Sequence, residues 1–134
     1  MSGSVRIRGS AVDVVLWGAA LLCAAVTLWW SLASVPPGAS LFVGVDKLEH
    51  GLAYFVTSLL FLLAAVWRPG RGDGVLARWS VWVAVALVAA GGLVEVLQSL
   101  IGRDAEVRDW LAEIVAVALA WGVVRAWSAL RPSG

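Results

Sequence analysis

Four long apolar stretches, separated by short polar segments, dominate the hydrophobic pattern of the chain. They cover about residues 12–32, 50–67, 79–100 and 109–129. Each is close to the roughly 20 mainly apolar residues that a helix needs to cross a hydrocarbon core of about 30 Å. Strands of a membrane barrel would instead alternate apolar and polar positions over about ten residues, and these stretches are continuous. The pattern therefore predicts an all-α bundle of four transmembrane helices, in a single domain over residues 1–134.

Composition supports a lipid environment. With 61% hydrophobic and 14% charged residues, the chain carries more apolar surface than a soluble fold of 134 residues could bury. The first apolar stretch is longer than the core of a secretory signal, which has about 7 to 15 residues, so we interpret it as a retained helix. A net charge of +1 without a basic stripe argues against nucleic acid as a partner. A homo-oligomer is compatible with the sequence.

The basic residues predict the orientation of the bundle. If the N-terminus is cytoplasmic, seven of the ten basic residues lie inside: Arg6, Arg8, Arg68, Arg71, Arg78, Arg125 and Arg131. The outer side then holds the other three: Lys47, Arg103 and Arg108. Short loops rich in Arg or Lys normally stay in the cytoplasm. We therefore expect both termini to be cytoplasmic.

Rare polar residues gather near the outer ends of the predicted helices. The only lysine, histidine and tyrosine lie within eight residues, as Lys47, His50 and Tyr54, and the only glutamine, Gln98, follows Glu95 by three. Residues three or four apart share a helix face, so each set lines one side of its helix. The topology predicts that six residues lie at the same depth, close to the outer surface of the membrane: Asp46, His50, Glu95, Gln98, Arg103 and Asp109.

These residues form an ordered set of motifs. The chain reads D-K-x-x-H-x-x-x-Y from Asp46 to Tyr54, E-x-x-Q from Glu95 to Gln98, and then a G-R pair six residues before the D-W-L-A that starts at Asp109. The set covers about half of the chain and resembles the VanZ-like family of bacterial membrane proteins. That family is named for a protein associated with resistance to the glycopeptide teicoplanin. The resemblance implies a bacterial cytoplasmic-membrane protein with a role in the cell envelope.

The chain departs from the family pattern at two positions. The family usually has Asn four residues after this aspartate and Gly three further on, where this chain has Glu113 and Ala116. A carboxylate in place of an amide changes the charge of the site.

The leading hypothesis is a polar pocket at the outer ends of helices two to four. It would bind or modify an anionic envelope lipid or a lipid-linked cell-wall precursor, with His50 and Glu95 as catalytic residues that exchange protons. Six further residues would bind the substrate or orient these groups: the cations Lys47 and Arg103, the carboxylates Asp46 and Asp109, and the hydrogen-bonding Tyr54 and Gln98.

Two other functions are compatible with the sequence. A non-enzymatic envelope protein could bind a lipid or a partner at the same pocket. Ion or proton transport would explain an acid within a membrane helix, but four short helices leave little room for a pathway. A metal site made from Asp46, His50, Glu95 and also Glu113 is chemically permissible, because carboxylates and one imidazole suit zinc or harder divalent ions. With a single histidine and no cysteine at this level, no metal or other cofactor is predicted.

Purely structural roles compete with these assignments. Asp46 could start a capping box with Glu49, and Asp109 could cap the fourth helix. Tyr54 could be an ordinary interfacial aromatic residue. Glu95 is harder to explain structurally, because an ionisable group at the centre of a membrane helix costs about 2.5 to 3.5 kcal/mol on insertion scales.

Overall fold

A computed structural model gives the fold of this chain. It describes residues 3–33, 45–67, 73–102 and 106–130, with the backbone alone for residues 3–10, 45–47, 73 and 75–76.

The described residues form four α-helices: α1 (Gly3–Leu32), α2 (Val45–Val66), α3 (Asp73–Leu100) and α4 (Val107–Ala129). Each contains a segment long and apolar enough to cross a membrane, which confirms the predicted bundle of four transmembrane helices. The apolar segments begin within two residues of the predicted starts. The helices themselves begin earlier, because the apolar windows stop at charged residues while a helical backbone can continue into a polar interface.

Helix α2 occupies the centre of the bundle. It packs most extensively against α4 and also contacts α1 and α3. Helix α1 is the least buried of the four and exposes apolar side chains such as Leu21, Leu22 and Val26, as expected for a lipid-facing surface. A hydrogen bond of 3.2 Å between the hydroxyls of Thr27 and Thr57 joins α1 to α2.

The interface between α2 and α4 has two chemically different ends. Both helices start at the polar end, which we define by His50, Glu95 and Glu113, and finish at the apolar end. The apolar end is defined by four buried side chains: Leu62, Val66, Ala120 and Val124. Helices α1 and α3 run the other way and finish at the polar end, where Gln98 reaches the backbone of Ser31.

Candidate functional site at the polar end

A histidine–glutamate pair joins α2 to α4. The Nε2 atom of His50 lies 2.9 Å from Oε1 of Glu113, and an ionised Glu113 accepts this hydrogen bond from the ring N–H. The Glu113 side chain is only 1% exposed, whereas that of His50 is 19% exposed. A carboxylate partner fixes the orientation of the imidazole and the ring nitrogen that carries the proton. The pair is therefore oriented and nearly buried.

A glycine of α3 makes room for the Glu113 carboxylate. A Cβ atom at Gly91 would collide with Oε2 of Glu113. Because glycine has no side chain, the backbone of α3 can approach the carboxylate closely. The residue at position 91 thus determines where the Glu113 carboxylate can lie.

Glu95 of α3 completes the cluster. A ring nitrogen of His50 and one carboxylate oxygen each of Glu95 and Glu113 all lie within 4.8 Å of one another. Both carboxylate oxygens of Glu95, and Oε2 of Glu113, are buried without a hydrogen-bond partner among the described residues. Buried polar atoms are nearly always hydrogen-bonded, so three such oxygens in one cluster call for an explanation.

A cavity of about 330 Å³ lies beside this cluster, between α3 and α4. Its lining consists of Gly92, Glu95, Val96, Val107 and Trp110. Val96 is 54% and Val107 70% exposed, so the cavity opens on the outer surface of the bundle. The indole N–H of Trp110 donates to the carbonyl of Val88 at 3.1 Å, which fixes the aromatic wall. Glu95 is the one ionisable residue in this lining.

Three other predicted site residues also lie at the polar end. Tyr54 is buried, with its ring centroid 4.8 Å from that of His50. Gln98 donates from Nε2 to the carbonyl of Ser31 at 2.8 Å, so its amide fastens α3 to α1. Asp109 is close enough to influence His50 and Glu95 electrostatically.

The alternative structural role of Asp109, as the N-cap of the fourth helix, does not agree with the structure. Helix α4 begins at Val107 with Glu106 as its N-cap residue, and Asp109 lies in the first turn. A negative charge in that turn still interacts favourably with the helix dipole.

The remaining predicted residues can be placed only in part. Asp46 and Lys47 are the second and third residues of α2, so Asp46 lies inside the helix and not at its N-cap. Their side chains are outside the described residues, as is the whole of Arg103.

Glu113 and Gly91 were not among the site residues predicted from the sequence. Glu113 entered only as a departure from the family pattern and as a possible metal ligand. The criterion applied to Glu95, an acid within an apolar stretch, selects Glu113 equally well. Gly91 belongs to a run of small residues, which indicates close helix packing without showing what approaches.

The cluster is suited to two kinds of chemistry. An imidazole oriented by one carboxylate, with a second carboxyl group beside it, can move a proton to or from a bound molecule. The same three side chains, His50, Glu95 and Glu113, offer one nitrogen and two oxygen donors to a divalent metal ion.

Four helices that are each able to span a membrane, three of which contribute to an ionisable cluster, define a multi-pass membrane protein with a candidate site at one end of the bundle. Comparisons of the chain with protein-family models, curated proteins and solved structures returned no match.

Proposed function

We propose that this chain is a VanZ-like protein of the bacterial cytoplasmic membrane, with both termini in the cytoplasm and the polar end outward. Its function is to bind or modify the headgroup of an anionic envelope lipid or of a lipid-linked cell-wall precursor. Through that ligand it affects susceptibility to glycopeptides such as teicoplanin, as the resemblance implies.

The observation that carries this proposal is the amphipathic cavity beside the cluster. Val96, Val107 and Trp110 provide apolar walls, and Glu95 provides a single ionisable point next to the His50–Glu113 pair. A lipid likewise combines an apolar part, its acyl chains, with a polar part, its headgroup. The opening between α3 and α4 would let such a molecule enter from the surrounding bilayer with its headgroup toward Glu95.

The depth of the cluster agrees with a headgroup ligand. His50 is five residues from the start of α2, Glu95 five residues from the end of α3, and Glu113 six residues from the start of α4. At about 1.5 Å per residue, all three lie roughly 8 to 9 Å inside the helix ends. For α2 and α4, which are 22 and 23 residues long, that level is about 6 Å inside a hydrocarbon core of about 30 Å, just below the headgroups.

The proposed negative charge of the ligand is inferred from two basic residues whose sequence positions are next to this end of the bundle. Lys47 lies in the first turn of α2, and Arg103 belongs to the short connection between α3 and α4. Within the cluster, His50 would accept or donate a proton, Glu113 would orient it, and Glu95 would exchange a proton with the headgroup.

Lipid profiling in bacterial cells tests the proposal. Cells that express the wild-type chain should differ from vector controls in an anionic lipid or lipid-linked precursor and in teicoplanin tolerance. Losing a general acid or base costs about 10²- to 10⁴-fold in rate, so Glu95→Gln and His50→Gln should abolish both differences. Glu49→Gln is the matched control, because it makes the same change on an exposed side chain at the same end of α2.

The outcomes separate chemistry from simple binding. Unchanged lipids and tolerance with the wild-type chain would contradict the proposed function. Differences that survive Glu95→Gln and His50→Gln but disappear with Arg103→Glu would assign the pocket to ligand binding without proton transfer.

A further inference from the structure

We infer that His50, Glu95 and Glu113 form a binding site for a divalent cation of the Zn²⁺ or Mn²⁺ class, with free coordination positions facing the cavity. The inference deepens the proposed function, on which its biological meaning rests, by naming the group that would hold an anionic headgroup at this site.

The geometry of the three side chains fits a metal site. Their donor atoms lie within 4.8 Å of one another. Donors around a tetrahedral ion with bonds of about 2.0 to 2.1 Å are about 3.4 Å apart. Glu95 has three rotatable bonds and borders an open cavity, so it can move inward by the remaining distance.

The second observation is the state of the Glu113 carboxylate. This side chain is 1% exposed, its Oε1 atom contacts His50, and its Oε2 atom has no hydrogen-bond partner in the part of the chain that the structure describes. The two Glu95 oxygens are also buried without a partner among the described residues. A bound cation would coordinate oxygens from both carboxylates at once, whereas a proton on either glutamate serves only one oxygen.

The charge around the cluster also favours a cation. The main electrostatic influences on Glu95 come from three carboxylates, those of Glu113, Asp109 and Glu106, and from His50. A neutral imidazole and two carboxylates together carry the charge that one divalent ion balances. Ionisable groups within a membrane helix usually have such a compensating partner.

The donor set indicates the class of ion. One imidazole nitrogen and two carboxylate oxygens, without a thiolate, suit Zn²⁺ or a harder ion such as Mn²⁺. Three protein ligands are one fewer than a closed structural zinc site has, so at least one position stays open. Because Glu95 belongs to both the cluster and the cavity wall, that position can meet a headgroup in the cavity.

A cation resolves an electrostatic conflict in the proposed function. An anionic headgroup beside Glu95 and Glu113 would be repelled by both carboxylates. A divalent ion between them reverses the sign of the interaction and can bind a phosphate oxygen directly.

Metal titration of the purified protein tests this inference without a lipid readout. Protein in detergent is stripped with a chelator, titrated with Zn²⁺ or Mn²⁺ alone, and assayed by calorimetry and by metal content after desalting. We expect one ion per chain. Substituting Glu113→Gln, Glu95→Gln or His50→Gln should weaken binding by more than about 100-fold, because even partners that contact only a ligand contribute about 10- to 100-fold.

Glu49→Gln is again the matched control and should bind like the wild type. Circular dichroism reports whether each variant keeps its helices. If Glu113→Gln does not fold, Glu95→Gln gives the result, since its side chain borders the cavity and is less buried. Wild-type protein that binds neither ion, or equal binding by the wild type and all three variants, would overturn the inference.

The two proposals fail separately. Lipid changes that depend on Glu95 in a protein that binds no ion would refute the cation site and leave the proposed function standing. An ion bound through the three residues, without any lipid change in cells, would support the site and refute the function.

Discussion

The two ends of the α2–α4 interface each bury at least one side chain almost completely, and they are built from opposite chemistry. At the apolar end Leu62, Ala120 and Val124 are completely buried and present only hydrocarbon. At the polar end Glu113 is 1% exposed, but one of its carboxylate oxygens has no hydrogen-bond partner within the described helices and their flanking residues. A buried side chain therefore meets only hydrocarbon at one end of this helix pair, whereas at the other end it carries a polar atom without a partner among the described residues.

The difference shows which end stabilises the bundle. Lipid tails are as apolar as leucine, so helices in a membrane associate mainly through close packing and hydrogen bonds. The apolar end provides that packing. The polar end places two glutamates and a histidine where each ionisable group is costly to insert. We interpret the apolar end as the structural half of this interface and the polar end as the functional half.

Truncating the apolar end should have the largest effect on stability. Leu62→Ala removes a completely buried side chain, and we expect the free energy of unfolding to fall by about 2 kcal/mol. This is the low end of the range for soluble proteins, because lipid also solvates leucine and mainly the packing loss remains. Titration with a denaturing detergent, followed by circular dichroism, measures the change.

Leu52→Ala is the matched control, because Leu52 lies on the same helix and is largely exposed. It should change the unfolding free energy by a few tenths of a kcal/mol. Equal destabilisation by the two substitutions would break the assignment of packing to the apolar end.

A smaller effect on stability is expected from Gly91→Ala at the polar end. The new Cβ atom would displace the Glu113 carboxylate, and overpacking of this kind costs about 1 kcal/mol. The main consequence should be loss of the His50–Glu113 hydrogen bond, seen as a change in the ¹⁵N chemical shifts of the single histidine. Gly51→Ala, with no neighbouring atom within 4 Å of its Cβ position, should leave those shifts unchanged.

An unchanged histidine signal in Gly91→Ala would show that the position of the Glu113 carboxylate does not depend on the absence of a side chain at position 91. In that case α3 would not shape the polar end through Gly91.

The sequence predicted the helices better than the site because the two depend on different information. Apolar stretches report directly on membrane spans, and the ends of all four helices lie within one residue of the predicted ends. The starts were predicted too late, since charged residues such as Asp73 can belong to a helix outside the apolar window.

Within the site, the sequence predicted His50 and Glu95 but not the partner of His50. Spacing along one helix shows which residues share a face, as for His50 and Tyr54, whose rings are in contact. It does not show which helices are neighbours. The pairing with Glu113 depends on the packing of α2 against α4, and on a glycine of α3 that leaves room for the carboxylate.

Blocking the cavity tests the central claim most directly, without altering any charge. Val96→Trp would fill the opening beside Glu95, whereas Val85→Trp makes the same change at an equally exposed valine of α3 outside the cavity. Native mass spectrometry of the purified proteins with added phosphatidylglycerol or phosphatidylcholine measures lipid retention. We predict that the wild type and Val85→Trp retain more of the anionic phosphatidylglycerol than of phosphatidylcholine. Val96→Trp should lose this preference. Equal retention of both lipids by all three proteins would contradict a headgroup site at the polar end.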